Sequence, residues 1–507
     1  MPFIRFAFFI LFAGISSSLF GQKIVYSEPD RSENRRMEFE VIGKVSGNFL
    51  VYKRLANKNY LSVYDNDMKP IEKIDLDFVP DDRLINIDFF PYNDFAYLIY
   101  QYQKRNVVYC EAVKIDGSGK KISDVVSLDT SHIGFASNNK IYSSITSDDK
   151  NNILVFKINS RNRSRYVVTT LLYNTELSLK NRSVLPVSMD DNKEDFLSEF
   201  NVDNDGDVVF SRSSRGNNDA ILKADLLWKP ALSDSLVTTE IPLDKIYLDE
   251  LHLKVDNANK RYFLTSFYYK QRRGNIDGFY FYVWDKNSKS VFLNNSLSLS
   301  EELRSEARGE AGIKTAFNDY FIRNIIVKRD GGFIIGSESY YTTSRANSWN
   351  RWNYMYGMPY YNSFDYYSYS PIYSNSWWRN RYNSNQSVRH HADNITILSF
   401  DNTGKLEWNA VIHKQQFDDE AGDQVSYQIV NTGGKVHFVF NQQEGRTVLL
   451  SDYTLSADGQ INRNPTLKNL DKGYQFMTKY GKQVSSKQII IPCYHRNYIC
   501  FAKVDFN

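Results

Sequence analysis

The sequence is poor in the features that mark several large protein classes. Three cysteines in 507 residues are too few for a disulfide-rich scaffold. The 62 basic and 59 acidic side chains nearly cancel, so no strong overall field attracts nucleic acid or anionic lipid. Long apolar runs are missing after the first residues, and a mean hydropathy of -0.49 excludes a protein with many membrane-spanning segments.

Aromatic residues, in contrast, are abundant. The chain has 36 Tyr, 33 Phe and 7 Trp, which together make up 15% of its residues, and 42% of the chain is hydrophobic. This composition supplies enough apolar surface for a large buried core, and it excludes a chain that is disordered throughout.

The first 21 residues have the pattern of a secretory signal peptide. Arg5 is the only charged residue before Lys23, and the apolar run Phe6–Ala13 is followed by Gly14 and several serines. The run is too short to cross a bilayer as a helix. We therefore expect cleavage after Ser18 or Gly21 and export to the periplasm or the extracellular space. No cysteine lies near either cleavage point, so a lipoprotein anchor is not expected, nor is a transmembrane segment in the mature chain.

Short strand-like runs alternate with tight polar turns along the rest of the chain. Asn, Asp and Gly favour hairpins because they tolerate positive φ angles. The turns begin near positions 65, 116, 174, 229, 285, 402 and 458, about 51 to 58 residues apart except for one gap of 117. A period near 50 built from about four strands is typical of a β-propeller. We predict an all-β propeller over residues 22–507 with eight blades, or alternatively seven, closed by the N-terminal strand Lys23–Ser27. Separate β-sandwich domains are the structural alternative.

The long gap contains a segment of unusual composition, residues 340–392. Sixteen of the 43 residues from Tyr340 to Tyr382 are aromatic, and the whole segment has five arginines, no lysine and one acid. It lacks the periodicity of a helix or a strand, which indicates a long loop inserted within one blade. Two interpretations are open: a polar-aromatic loop without a ligand, or a set of stacking platforms for sugar rings or peptide side chains. The second makes these the candidate binding residues: Trp349, Trp352, Tyr354, Tyr360, Tyr361, Trp377, Trp378 and Arg379.

Two stretches flanking the insertion resemble secreted proteins of Bacteroidota. The run Asp330–Glu338 (DGGFIIGSE) is similar to a hairpin motif of propeller-like exported proteins in that group, and Asp393–Trp408 is similar to a strand-turn-strand stretch in uncharacterised members. The resemblance covers mainly residues 317–507 and consists of structural hairpins. It implies a bacterial exported protein and no particular activity.

Motifs for chemistry are weak. Asp203, Asp205 and Asp207 offer oxygen ligands, but the spacing differs from an EF-hand and a turn explains them. His390 and His391 are adjacent, and on a strand such neighbours point to opposite faces, so no metal site or cofactor is expected. Glu338 stands out because it ends a hairpin strand beside the insertion.

Two further local expectations concern sulfur and helix. Cys493 and Cys500 lie on two strand-like runs that form a hairpin, where they are either a disulfide or buried thiols. Ser298 and Glu301 have the spacing of a capping box, which predicts a short helix over 298–308.

The sequence therefore favours a non-enzymatic exported propeller that binds a protein partner or a cell-surface polymer. A propeller enzyme that acts on an exported carbohydrate is the alternative. Nucleic acid is not an expected partner, because the five arginines of residues 340–392, without lysines beside them, make a weak positive surface for a phosphate backbone.

Overall fold

A computed structural model describes most of the chain. The described residues are 22–30, 37–134, 140–162, 165–189, 194–216, 220–272, 274–309, 312–344, 388–419, 422–444, 447–464 and 473–506. The predicted signal peptide, residues 1–21, lies outside them.

The described chain forms seven antiparallel sheets, and the nine-stranded one consists of two blades joined by a short strand, so we number eight blades, 1 to 8. Blade 1 contains β2 (Glu38–Val45), β3 (Asn48–Leu55), β4 (Lys58–Tyr64) and β5 (Pro70–Asp75), and blade 2 contains β6 (Leu84–Pro91), β7 (Phe95–Lys104), β8 (Val107–Asp116) and β9 (Val126–His132). Blade 3 contains β10 (Tyr142–Thr146), β11 (Ile153–Asn162), β12 (Arg165–Tyr173) and β13 (Leu179–Ser188). Blade 4 contains β14 (Glu194–Val202), β15 (Val208–Arg215), β16 (Ile221–Lys229) and β17 (Val237–Ile241). The short β18 (Tyr247–Leu248) bridges blades 4 and 5.

Blades 5 to 8 continue the same order of strands. Blade 5 contains β19 (His252–Asp256), β20 (Arg261–Tyr269), β21 (Gly278–Asp285) and β22 (Ser290–Ser298), and blade 6 contains β23 (Tyr320–Val327), β24 (Phe333–Ser344), β25 (Val388–Phe400) and β26 (Leu406–Ile412), with β27 (Gln416–Asp418) beside β25. Blade 7 contains β28 (Tyr427–Asn431), β29 (Val436–Glu444), β30 (Thr447–Leu455) and β31 (Ile461–Arg463). Blade 8 contains β32 (Tyr474–Phe476), β33 (Lys482–Ser485), β34 (Gln488–His495), β35 (Tyr498–Asp505) and β1 (Lys23–Tyr26).

The sheets form a closed ring. Each pair of consecutive blades shares one hydrophobic cluster, and the eighth cluster joins blade 8 to blade 1 through contacts such as Phe39 with Phe501. The N-terminal strand β1 pairs with β35, with Lys23 opposite Asp505. The prediction of an eight-bladed propeller closed by the N-terminal strand is confirmed. Seven blades and separate sandwiches are both wrong, because apolar faces are buried between consecutive sheets around the whole ring.

The recurring polar turns occupy the same place in blades 1 to 7, where they connect the third strand to the fourth; in blade 8 the fourth strand is the N-terminal β1. In blade 6, the Asp401 carboxylate accepts hydrogen bonds from the backbone N–H groups of Thr403 (2.8 Å) and Lys405 (2.9 Å). Gly404 has a φ of +79°, and a Cβ there would lie 2.6 Å from Phe281 of blade 5. The turn thus needs Asp for its hydrogen bonds and Gly both for the backbone angle and for close packing against the preceding blade.

The first strand of each blade lies toward the central axis and the fourth lies outside. Fourth strands such as β5 and β22 are largely exposed, whereas β2 lies against the inner strands β6 and β33. Because the strands alternate in direction, second-to-third connections and links between blades share one face of the ring. We call it the loop face.

The loop face carries the single α-helix of the described residues. Helix α1 (Glu301–Ala307) follows β22, and its N-cap is Ser300, whose hydroxyl accepts a hydrogen bond from the Leu303 N–H. The expected capping box at Ser298 is wrong, since Ser298 still belongs to β22 and hydrogen-bonds to Tyr268. A helix was correctly expected here, but its first turn begins two residues later because the strand is paired as far as Ser298.

Candidate functional site

The loop face is most elaborate at blades 5, 6 and 7. The described ends of the predicted insertion belong to β24 and β25, the second and third strands of blade 6, and reach this face; helix α1 joins blade 5 to blade 6 on the same face. The helix contacts blade 6 directly, because the Asn394 amide donates to the Ala307 carbonyl at the helix C-terminus (3.3 Å).

The strands beside the insertion extend further than the sequence suggested. β24 continues to Ser344 and β25 begins at Val388, so five residues at each end of the expected loop 340–392 are paired as strands. β27 adds a third strand, with His391 opposite Phe417. We call residues 340–344, 388–392 and 416–418 the flap. Alternating hydrophobic and polar residues did not mark these ends, because both flap faces carry polar and aromatic side chains.

The outer face of the flap presents a row of three rings across its three strands. Tyr341 and His391 are cross-strand partners whose rings stack at 4.5 Å with an interplanar angle of 6°. Phe417 follows opposite His391, and 49% of its surface is exposed. The guanidinium of Arg389 lies 4.5 Å from the Phe417 ring centroid and makes a two-pronged ion pair with Asp419 (2.6 and 2.9 Å). This geometry fixes the rings and leaves one aromatic side chain accessible.

Asp393 lies two residues from His391 on the same strand face. Its Oδ2 atom accepts a hydrogen bond from the Tyr341 hydroxyl (3.2 Å). Burial raises the pKa of Asp393 above the ordinary value for an aspartate, against the opposing effects of Lys414 and Tyr341. Burial is therefore the largest influence on the pKa of Asp393, and it favours the protonated form of the carboxyl group.

A cleft of about 960 Å³ lies over this face and extends to blade 7, a size usual for ligand sites. Its lining is polar apart from one glycine and one phenylalanine: Gly309, Arg389, His391, Asp393, Asn394, His413, Lys414, Gln415, Phe417, Asn441, Gln442 and Gln443.

Beneath the cleft lies a buried charge network centred on Glu338, which is 0% exposed. Its Oε1 is 2.9 Å from the Lys414 ammonium, its Oε2 is 3.3 Å from the Arg323 Nε, and the Ser426 hydroxyl donates to it. Lys414 also donates to the Ala392 carbonyl and to Gln416 (both 2.7 Å). An ammonium has three N–H donors, so Lys414 has no proton left for a ligand.

The same network has consequences for charge and backbone. Burial lowers the pKa of Lys414, and the neighbouring Glu338 opposes that effect. Ser426 adopts a φ of +77°, a strained angle for a residue other than glycine, and its N–H is fixed by Gln416 (2.9 Å). The strained backbone and the buried ions hold blades 6 and 7 in one arrangement at the cleft floor.

A second buried cluster links blades 4, 5 and 6. His252 lies between Glu250, 3.2 Å from its Nε2, and Glu199, 3.8 Å from its Nδ1. Burial alone would lower the pKa of His252, but the two carboxylates outweigh it and raise the pKa. Each carboxylate also accepts a backbone N–H from the next blade, Leu253 for Glu199 (2.8 Å) and Ile322 for Glu250 (2.6 Å). These groups are 4% exposed or less, so they fasten blades together rather than face a ligand.

The inner face of the flap is packed against blades 7 and 8. The His390 Nδ1 lies 2.8 Å from the Tyr340 hydroxyl, and its ring packs on Gly422, where a Cβ would lie 2.9 Å away. Burial lowers the pKa of His390 to about 4, helped by the positive charge of Lys479. His390 and His391 point to opposite faces, as predicted for neighbours on a strand.

The structure places the remaining sequence candidates as follows. Trp349, Trp352, Tyr354, Tyr360, Tyr361, Trp377, Trp378 and Arg379 all lie outside the described residues. The three acids Asp203, Asp205 and Asp207 form a turn whose carboxylates surround the Lys286 ammonium at 2.6, 2.7 and 2.9 Å, so a lysine occupies the place that a cation ligand would take.

Cys493 and Cys500, the closing cysteine pair, are opposed on β34 and β35. Their sulfur atoms lie 2.9 Å apart in the core and both are free thiols here.

Sequence reasoning missed most of the described site. Glu338 had been noticed for its position, but its partners Arg323, Lys414 and Ser426 come from other strands, and no spacing signals them. No motif marks Asp419 either, although it pairs with Arg389 across the flap. Among the described residues, no cluster of three or more His, Cys, Asp or Glu side chains is arranged to hold a metal ion. In that part of the chain no helix is long and apolar enough to cross a bilayer.

Comparisons with known proteins give distant likenesses only. No family model and no curated protein matches the chain. The polysaccharide lyase Uly1 aligns over 82% of this chain and 89% of its own, with 7% identity and a TM-score of 0.37. A PL25 ulvan lyase aligns over 82% and 90%, with 9% identity and a TM-score of 0.36. Prolyl oligopeptidase B from Galerina marginata aligns over 91% of this chain and 56% of its own, with 9% identity and a TM-score of 0.41. No conclusion about function follows from likenesses this distant.

Proposed function

We propose that this protein is an exported, non-enzymatic β-propeller whose loop face at blades 5, 6 and 7 binds a cell-surface polymer or a partner protein. The described strand ends on either side of the insertion, helix α1 and the cleft lie on that face, and this co-location carries the proposal. The export step rests on the signal-peptide pattern of residues 1–21.

The state of the buried charges supports binding rather than catalysis. Glu338 and Lys414 are satisfied by each other and by neighbouring groups, and the Lys414 side chain is only 1% exposed. Such groups stabilise the cleft floor without offering a reactive atom to a ligand. A rigid floor with polar walls suits recognition, since little side-chain entropy is lost on binding.

Replacing the insertion tests this proposal without disturbing the ring. Ser344 and Val388 are paired opposite each other, so Asn-Gly in place of residues 345–387 forms a two-residue hairpin between them. The wild type and the Asn-Gly variant are each co-sedimented with cell-envelope material of a Bacteroidota host. Circular dichroism shows whether the variant is folded. We expect a folded variant with at least tenfold weaker binding. Equal recovery of both proteins contradicts the proposal.

Export is tested separately on the full-length chain expressed in a bacterial host. We expect the exported fraction to contain a mature protein that begins at Leu19 or Gln22, read by N-terminal sequencing. An uncleaved protein confined to the cytoplasm contradicts this part.

One observation favours a second candidate function, a carbohydrate-active enzyme. Asp393 lies in the cleft with a raised pKa, next to the His391 ring, as expected for a general acid. Incubation with oligosaccharides and mass spectrometry of the products decides this point. Turnover that the wild type shows and Asp393→Asn loses favours the enzyme; absence of any product leaves the binding role.

A further inference from the structure

We infer that the outer face of the flap is a binding surface for a neutral, hydroxyl-rich oligosaccharide, with Phe417 stacking on a sugar ring. This inference rests on the proposed function and deepens it by naming the class of ligand. It depends on described residues only and requires no contact from residues 345–387.

The first argument is the way Phe417 is presented. The Phe417 side chain is 49% exposed, so apolar surface remains in contact with water, which is unfavourable. Strand β27 nevertheless fixes it opposite His391 in the lining of the cleft. Arg389 covers one side of its ring and is itself held by Asp419, so the ring has little freedom. A rigid, exposed aromatic face binds the apolar face of a sugar ring at low entropic cost.

The second argument is the set of polar groups around that ring. Asp393 lines the cleft on the same strand face as His391, where its Oδ2 atom accepts from Tyr341 and has a second lone pair for a ligand, and Gln415 and Gln443 add amide groups to the lining. Carboxylates accept hydrogen bonds, and amides both donate and accept them. Adjacent hydroxyl groups on a sugar supply both kinds of partner in the plane of the ring, which matches planar groups beside an aromatic platform.

The third argument concerns what the cleft does not offer a peptide. The middle flap strand β25, which carries His391 and Arg389, is paired with β24 on one side and β27 on the other, so a peptide cannot add a strand beside these two residues. Among the described residues that line the cleft, Phe417 is the only large apolar side chain, so these residues form no apolar pocket for a peptide side chain.

The charges of the cleft argue for a neutral ligand. The two permanent cations of the lining already have acidic partners, Asp419 for Arg389 and Glu338 for Lys414. Asp393 adds a carboxylate rather than a further cation. A polymer rich in carboxylates or sulfates would therefore meet no uncompensated positive charge from Arg389 or Lys414, the two cations among the described lining residues.

The experiment measures binding of the full-length protein to defined oligosaccharides. A glycan array with neutral and uronic-acid glycans identifies ligands, and calorimetry with the best neutral hexasaccharide gives the affinity. We expect binding to neutral glycans, and a loss of at least tenfold in affinity for Phe417→Ala.

Phe292→Ala is the matched control. Phe292 is also exposed, at 45%, and also has an arginine over its ring, Arg261 at 3.5 Å, but it lies on the outer strand β22 away from the cleft. We expect its affinity to stay within twofold of the wild type. Asp393→Asn adds a second readout, with a fivefold or greater loss expected.

Three results would overturn the inference: no neutral glycan bound by the wild type, preference for uronic-acid glycans, or equal affinities for Phe417→Ala and Phe292→Ala. The proposed function is tested by the insertion variant, so the two failures are distinguishable. Envelope binding that needs residues 345–387, together with no glycan binding, leaves the proposed function standing and removes this inference.

Discussion

Replacing Glu338 with glutamine tests whether the charge network is what fixes the floor of the cleft. Glutamine keeps the shape of the side chain but removes the charge that faces Lys414 at 2.9 Å and Arg323 at 3.3 Å. Both cations are almost fully buried, with side chains 1% and 6% exposed, so neither regains water. Removing one partner of a buried pair costs roughly 3–5 kcal/mol.

An independent limit comes from the titration of Lys414. The variant avoids a buried unpaired ammonium if Lys414 releases its proton, and at pH 7 this costs about 4.6 kcal/mol for an ordinary lysine pKa near 10.4. Burial already lowers the pKa of Lys414, and loss of Glu338 lowers it further. A base whose pKa is lower in the folded than in the unfolded protein destabilises the fold at low pH, and this penalty becomes smaller as the pH rises. The part of the cost that comes from Lys414 therefore falls to roughly 2 kcal/mol at pH 9, whereas Arg323 keeps its charge at both pH values.

Urea unfolding of the wild type and Glu338→Gln at pH 7 and pH 9 checks both numbers. Glu407→Gln is the control, because Glu407 makes an ion pair with Lys328 (2.5 Å) but is 38% exposed. That pair should contribute less than about 1 kcal/mol. A loss below about 1 kcal/mol for Glu338→Gln, or a loss that does not change between the two pH values, would refute the reasoning.

Three further predictions concern the fold and its titratable groups. Gly404→Ala should cost at least about 2 kcal/mol in urea unfolding, because it adds both a backbone penalty and a clash with the preceding blade, whereas Gly433→Ala, at a φ of +90° with open space around it, should cost less than half as much. Between pH 6.5 and 4, the wild type should lose up to about 3 kcal/mol more of its free energy of unfolding than His390→Gln loses. The reason is that the lowered pKa keeps the His390 imidazole neutral in the folded protein, whereas the imidazole gains a proton in the unfolded chain. Parallel stability curves for the two proteins would contradict this. For protein folded under oxidising conditions, thiol titration in denaturant should find only Cys110, with the closing cysteine pair appearing after reduction; three thiols before reduction would show that the pair stays reduced.

Much of the architecture was predictable because it depends on local rules. The turn at Asp401 recurs at Asp65, Asp116 and Asn174, since its hydrogen bonds and its one left-handed residue lie within five positions. The spacing of such turns therefore counted the blades. The apolar N-terminal strand was left without a partner in that count, which predicted closure of the ring at Lys23–Tyr26.

The candidate site was not predictable in the same way. Glu338 meets Ser426 across 88 positions, and Glu199 meets Leu253 across 54, so each contact depends on how two blades are rotated about the axis. The aromatic segment drew attention through composition alone, whereas the ring row of the flap is built from Tyr341, His391 and Phe417, three residues that no motif connects.

The sequence by itself determined the class of fold, the number of blades and the way the ring closes, because hairpins and alternating strands follow from short-range backbone preferences and burial. Only the tertiary structure decided which polar side chains are buried against one another and which face the cleft. Charges as far apart as Glu338 and Lys414 acquire a shared environment only when neighbouring strands bring them together and exclude water, and that exclusion gives them their energetic weight.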